Sequence, residues 1–166
     1  MSRRTRILTL LGVSVAAAMV ISYIETLIPM PFAVPGIKLG LANTVTLFLL
    51  LKLDWKCAGA VSIIRVLLSG LLFGNAVSIA YSFAGALFSI VVMTLLKKTN
   101  AFTAVGLSIS GGTAHNTGQI LMAALLLGTK QILWWLPMLT VSGILAGIAT
   151  GAAAALLDRK LDLKIR

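Results

Sequence analysis

Six apolar segments, residues 7–28, 38–52, 57–73, 75–96, 101–128 and 132–157, take up most of this chain of 166 residues. About 20 apolar residues carry a helix across a bilayer, and backbone polar groups in lipid must be satisfied within their own segment. Such runs predict membrane-spanning α-helices. With 59% hydrophobic and only 11% charged residues, too little polar surface is left to coat a soluble domain. The expectation is an all-α, polytopic membrane protein, a single domain (1–166) of six transmembrane helices. The first segment follows the basic stretch "MSRRTR" without a cleavage signature, and reads as a helix rather than a removed signal. The second is short, and the third and fourth nearly touch.

The formal net charge of +10 would suggest nucleic acid in a soluble protein, but its distribution reads as a topology signal and no nucleic-acid partner is expected. With the N-terminus inside, the inner connections hold Arg3, Arg4, Arg6, Lys52, Lys56, Lys97, Lys98, Arg159, Lys160, Lys164 and Arg166; the outer ones hold only Lys38 and Lys130. That asymmetry predicts cytoplasmic N- and C-termini in the cell membrane. Trp55 falls at the inner boundary and Trp134 with Trp135 at the outer one, where amphipathic rings prefer to lie. Pro137 falls in the first turn of the last helix, where its missing N–H costs little. In "IPMPFAVPGIKLGLAN", residues 28–43, closely spaced prolines force an extended outer connection, either a plain linker or a lid. Gly143, Gly147 and Gly151 form a small-residue stripe on the last helix, and Gly12, Ala16 and Ala17 a weaker one on the first. Such stripes serve internal packing or docking of a membrane partner.

An ionisable side chain inside the membrane costs about 2.5–3.5 kcal/mol on insertion scales, so each one needs a partner or a cavity. Arg65 lies near the middle of the third segment and shares its face with Ser62 and Ser69. Glu25, near the outer end of the first, is the natural counter-charge for Arg65 or Lys38. In "GGTAHNTGQ", residues 111–119, Gly112, His115, Asn116 and Gln119 fall within an arc of about 100° on a helix. The flanking Gly111 and Gly118 leave room beside that face, which suits either a ligand cavity or tight helix packing. Asn75, Ser78, Ser82 and Ser89 make a stripe on the fourth segment, and Asn43 with Thr46 lies near the outer end of the second. At 1.5 Å per residue, Arg65 and Gln119 lie roughly 12–14 Å below the outer surface and His115 about 20 Å, with Asn43 and Glu25 higher. The implied shape is a pocket open to the outside that narrows toward mid-membrane.

No enzymatic constellation can be assembled. The lone His115 has no second ligand at metal spacing, Cys57 is a solitary thiol, and no Gly-rich loop matches a P-loop. Asp54, Asp158 and Asp162 are isolated at the cytoplasmic edge, so neither a cofactor nor catalysis is expected.

Six helices, a lid-like loop after the first and a ligand-sized polar interior resemble the substrate-binding S components of energy-coupling factor transporters. More specifically, "PGIKLGLAN" (35–43) and "GGTAHNTGQ" (111–119) look like the two signature segments of the Gx transporter family, whose members also carry the label heptaprenyl diphosphate synthase component I. The resemblance covers nearly the whole chain. It implies a subunit that captures a small molecule from outside and works with a transmembrane coupling subunit and cytoplasmic ATPases. Gly12, Ala16 and Ala17 would then be the coupling surface, although no clean Ala-x-x-x-Ala is present. Prenyl diphosphate synthases are similar to one another in aspartate-rich "DDxxD" motifs, which this chain lacks.

The first expectation is therefore a transport subunit that binds a small anionic or vitamin-like substrate. Its pocket would be lined by Glu25, Asn43, Arg65, Asn75, His115, Asn116 and Gln119, with Lys38 at the mouth and Arg65 gripping a carboxylate or phosphate. The alternative is a non-catalytic accessory subunit of isoprenoid or quinone synthesis that binds a prenyl diphosphate. A purely structural scaffold would instead have a dry interior, with Arg65 and Glu25 directly paired.

Overall fold

A computed structural model describes residues 2–28 and 38–161. The described chain is helical, without strands: α1 (Arg3–Leu27), α2 (Asn43–Lys52), α3 (Trp55–Phe73), α4 (Ala76–Lys98), α5 (Ala104–Leu127), a 3-10 turn (Lys130–Trp135) and α6 (Leu136–Lys160). Residues 29–37 of the outer connection expected over 28–43, and Asp162, Lys164 and Arg166, lie outside the described residues.

Helix boundaries follow local chemistry. Asp54 accepts the Cys57 N–H at 2.7 Å and starts α3; the same bond holds its carboxyl below the usual carboxylate range. Asn75 and Ser78 form a reciprocal capping box at the start of α4, and Thr103 caps α5. Gly128, at φ +63°, ends α5 in the left-handed conformation that glycine adopts without strain. Pro137 sits in the first turn of α6, as expected.

The molecule is a membrane protein, but its helices are unequal. Among the described residues four segments are long and apolar enough to cross a bilayer: α1, α3, α4 and the 3-10 turn with α6. α5 has the length, and the polar run at its middle dilutes its hydropathy. α2 has only 10 residues and rises about 15 Å, half the hydrocarbon thickness. It begins later than the apolar segment that predicts it, because residues 38–42 are held in a non-helical path by distant side chains.

This short helix is the axis of the fold. Every residue from Ala42 to Leu50 is buried, and α2 touches α1, α3, α4, α5 and α6. Among the described elements α1 packs on α2 and α3, through Ser14, Ala18, Ser22 and Glu25. Phe48 and Leu49 of α2 anchor an apolar cluster that takes in Ala18, Val61, Met93, Leu107 and Ala154, one from each other helix. A second cluster, Tyr81, Ile120, Ala123, Ile132 and Leu139, closes the opposite end of α4, α5 and α6. Between the two levels, α5 carries His115 and Asn116, and α4 carries Ser82 and Ser89.

The α6 glycines serve internal packing. A Cβ at Gly147 would lie 2.6 Å from the Ile109 Cα, one at Gly151 2.7 Å from the Val105 Cα, and one at Gly112 2.7 Å from the Gly143 carbonyl oxygen. The α1 stripe differs: Gly12 has nothing within 4 Å, and Ala16 and Ala17 are exposed.

Candidate functional site

Non-helical backbone at membrane depth survives only where protein groups satisfy it. Two side chains do so for residues 38–42. Glu25 Oε1 accepts the N–H groups of Gly40 at 2.6 Å and Leu41 at 2.9 Å. The Gln119 amide pairs with Lys38 as a neighbouring strand would, Oε1 accepting its N–H at 2.9 Å and Nε2 donating to its carbonyl at 3.1 Å. The segment is thereby tied to α1 on one side and α5 on the other.

Gly40 makes the path possible. Its φ of +83° is open to glycine and strained for other residues, and a Cβ there would lie 3.1 Å from Asn43 Nδ2 and 3.3 Å from His115 Cδ2. Asn43 and His115 therefore stand at one level. The helical count that sets Asn43 higher fails because residues 38–42 are not helical and α2 starts only at Asn43. On its other side the His115 ring packs against Gly85, where a Cβ would lie 2.9 Å from Cε1.

Charges gather around this point. The Glu25 charge acts on Arg65 and Lys38, and both cations act on His115. Yet Glu25 and Arg65 are not bridged: Glu25 Oε2, Arg65 Nε and Arg65 Nη2 have no hydrogen-bond partner among the described residues. Asn43 Nδ2 and Oδ1, His115 Nδ1 and the hydroxyls of Ser22, Ser62, Ser82 and Ser89 are in the same condition. Arg65 is 2% exposed. Leaving a buried polar atom unsatisfied costs about 1–3 kcal/mol, and more when it is charged. Nε and Nη2 form the side edge of the guanidinium, the two-donor fork that matches a carboxylate or phosphate.

The structure brings together Glu25, Lys38, Asn43, Arg65, His115 and Gln119, and corrects the roles of three expected residues. Asn75 is exposed and is spent on capping α4, so it does not join the interior. Asn116 turns to α6, Nδ2 donating to the Leu139 carbonyl at 2.6 Å and to Ser142 Oγ at 3.3 Å. One residue step rotates a helical side chain by about 100°, which separates it from His115. Gln119 is inside but spends its amide on Lys38. Of the two uses open to the α5 glycines, packing is the one found: an added Cβ at Gly111 would meet Met93, one at Gly118 the Ala84 carbonyl, and one at Gly112 the Gly143 carbonyl. Ser22, fully buried, is an addition; its place three residues before Glu25 on the same helical face was the available signal.

A protein-family model described as heptaprenyl diphosphate synthase component I matches residues 14–157. No curated protein and no solved structure gives a match.

Proposed function

The chain belongs to the heptaprenyl diphosphate synthase component I family, and from that premise and its buried charges we propose a membrane subunit that binds an anionic small molecule in its interior. The side edge of Arg65, buried and without a protein acceptor among the described residues, carries this reading. Asn43, His115 and the free oxygen of Glu25 supply the remaining polar contacts. The scaffold reading fits less well, because it requires Arg65 and Glu25 to satisfy each other.

In this proposal the protein is a single six-helix domain with both termini cytoplasmic, in the plasma membrane, and it has no catalytic role. Binding serves transport in the manner of an S component. The exposed Gly12, Ala16 and Ala17 face of α1 meets a transmembrane coupling subunit driven by cytoplasmic ATPases. Uptake of labelled candidate anions by cells expressing the protein, with and without Arg65→Met, tests it; uptake that ignores the substitution overturns the role of Arg65.

The family description favours a second reading, since it names one component of a synthase and so implies a partner component. Here the chain is a non-catalytic accessory that presents a prenyl diphosphate to a soluble catalytic chain. Co-expression with a soluble synthase chain bearing aspartate-rich motifs separates the two: stable co-purification and raised prenyl transfer favour the accessory role, and their absence favours transport.

A further inference from the structure

At the lysine-rich end of the bundle, away from the interior charges, a cavity of about 260 Å³ opens between the end of α2, the start of α3 and the end of α4. Trp55, Asp54, Thr94, Lys97 and Lys98 line it. Lys97 donates to the Leu50 carbonyl, which fixes that ammonium against the last turn of α2. Lys98 is exposed, and Lys56 lies over the Trp55 ring at 5.8 Å. The Asp54 carboxylate accepts the Cys57 N–H and keeps its charge, so among the described residues one carboxylate stands against Lys56, Lys97 and Lys98 and the balance of charge at this mouth is cationic.

One helical turn further into the membrane, the same α3–α4 crevice holds a second, narrower cavity of about 40 Å³. Ser62 is the one polar residue of its lining; Gly59, Ile63, Phe83, Leu87 and Ile90 make most of the rest. Gly59 is four residues beyond Trp55, and Ile90 four before Thr94, so the two cavities follow one another along one face of each helix. Gly59 has only Ile90 nearby, at 3.3 Å from an added Cβ. Ile63, Phe83 and Leu87 are each more than 40% exposed, so the slot opens sideways to hydrocarbon.

The geometry points to a lipid site: an anionic phosphate head seated among Lys97, Lys98 and Trp55, with its chain in the α3–α4 slot. Basic pockets between helices at the cytoplasmic boundary hold such heads, and tryptophan prefers the same level. Ser62, three residues before Arg65 on α3, lines the slot, but the head is held by other residues, at the lysine-rich mouth, and the site does not depend on what the interior binds.

Native mass spectrometry of the detergent-purified chain, titrated with dioleoylphosphatidylglycerol or dioleoylphosphatidylcholine, tests this. The anionic lipid is expected to be retained about fivefold better than the zwitterionic one, a factor set by one surface lysine. Lys98→Gln should remove that preference, and Gly59→Leu, which fills the slot, should weaken retention of both lipids. Equal retention of the two lipids by the unsubstituted chain, or an unchanged preference in Lys98→Gln, overturns the proposal. Displacement of the lipid by inorganic pyrophosphate alone at equal concentration would also overturn it, since a head-only site would then suffice.

Discussion

The side-chain amide of Gln119 pairs with both backbone polar groups of Lys38, a residue 81 positions earlier in the chain. This contact and the Glu25 carboxylate on Gly40 and Leu41 determine where α2 begins. They also determine that Asn43 and His115 face each other across Gly40. The polar interior exists because a backbone segment is held out of helical geometry at membrane depth.

Gln119→Leu leaves the Lys38 N–H and carbonyl without these partners, at an expected cost of about 1–3 kcal/mol. Thermal unfolding in detergent should show a lowered Tm. Amide exchange should accelerate at residues 38–41 and stay unchanged in α6; unchanged exchange at 38–41 would remove the clamp from the account.

Glu25→Gln keeps an acceptor oxygen for Gly40 and Leu41, while Glu25→Ala removes it. The alanine variant should lose more stability, by about 1–3 kcal/mol, with faster exchange at Gly40 and Leu41. Equal losses would mean that the charge of Glu25 matters and its hydrogen bonds do not.

Two glycine substitutions should act in opposite directions. Gly147→Ala brings a Cβ to 2.6 Å from the Ile109 Cα, and overpacking backbone against backbone costs about 1–3 kcal/mol. Gly12→Ala meets nothing within 4 Å and should gain up to about 1 kcal/mol from helix propensity. Paired Tm measurements check both signs.

Arg65→Met should not destabilise the ligand-free protein. Removing one member of a satisfied buried ion pair costs about 3–5 kcal/mol, but Arg65 has no such partner among the described residues. Its removal relieves a penalty of about 2.5–3.5 kcal/mol, so Tm should hold or rise. A large fall would indicate that Arg65 is structurally paired.

Features with a local physical cause could be read from the residues alone. Arg65 and Glu25 stand out as charges in apolar runs, and α3, α4 and α5 start at Asp54, Asn75 and Thr103, residue types that cap helices. Asn75 directly before an apolar run is a favoured N-cap residue, so its capping role is accessible from the sequence. What could not be read depends on contacts distant in sequence. No local pattern indicates that Gln119 will hold Lys38 and delay α2. The helical arc of His115, Asn116 and Gln119 was correct as geometry, but which neighbour each residue meets depends on where α4 and α6 pack. Gly85, which admits the His115 ring, lies in a stretch that reads only as a span.

The central claim is that Arg65 grips an anionic ligand, and the most direct measurement is mass spectrometry of small molecules that co-purify with the unsubstituted chain and with Arg65→Met. A charge-assisted contact of about 1.5–3 kcal/mol predicts an anionic compound enriched at least tenfold with the unsubstituted chain, both proteins being folded by thermal unfolding. Equal recovery of the same compounds from the two proteins would contradict it.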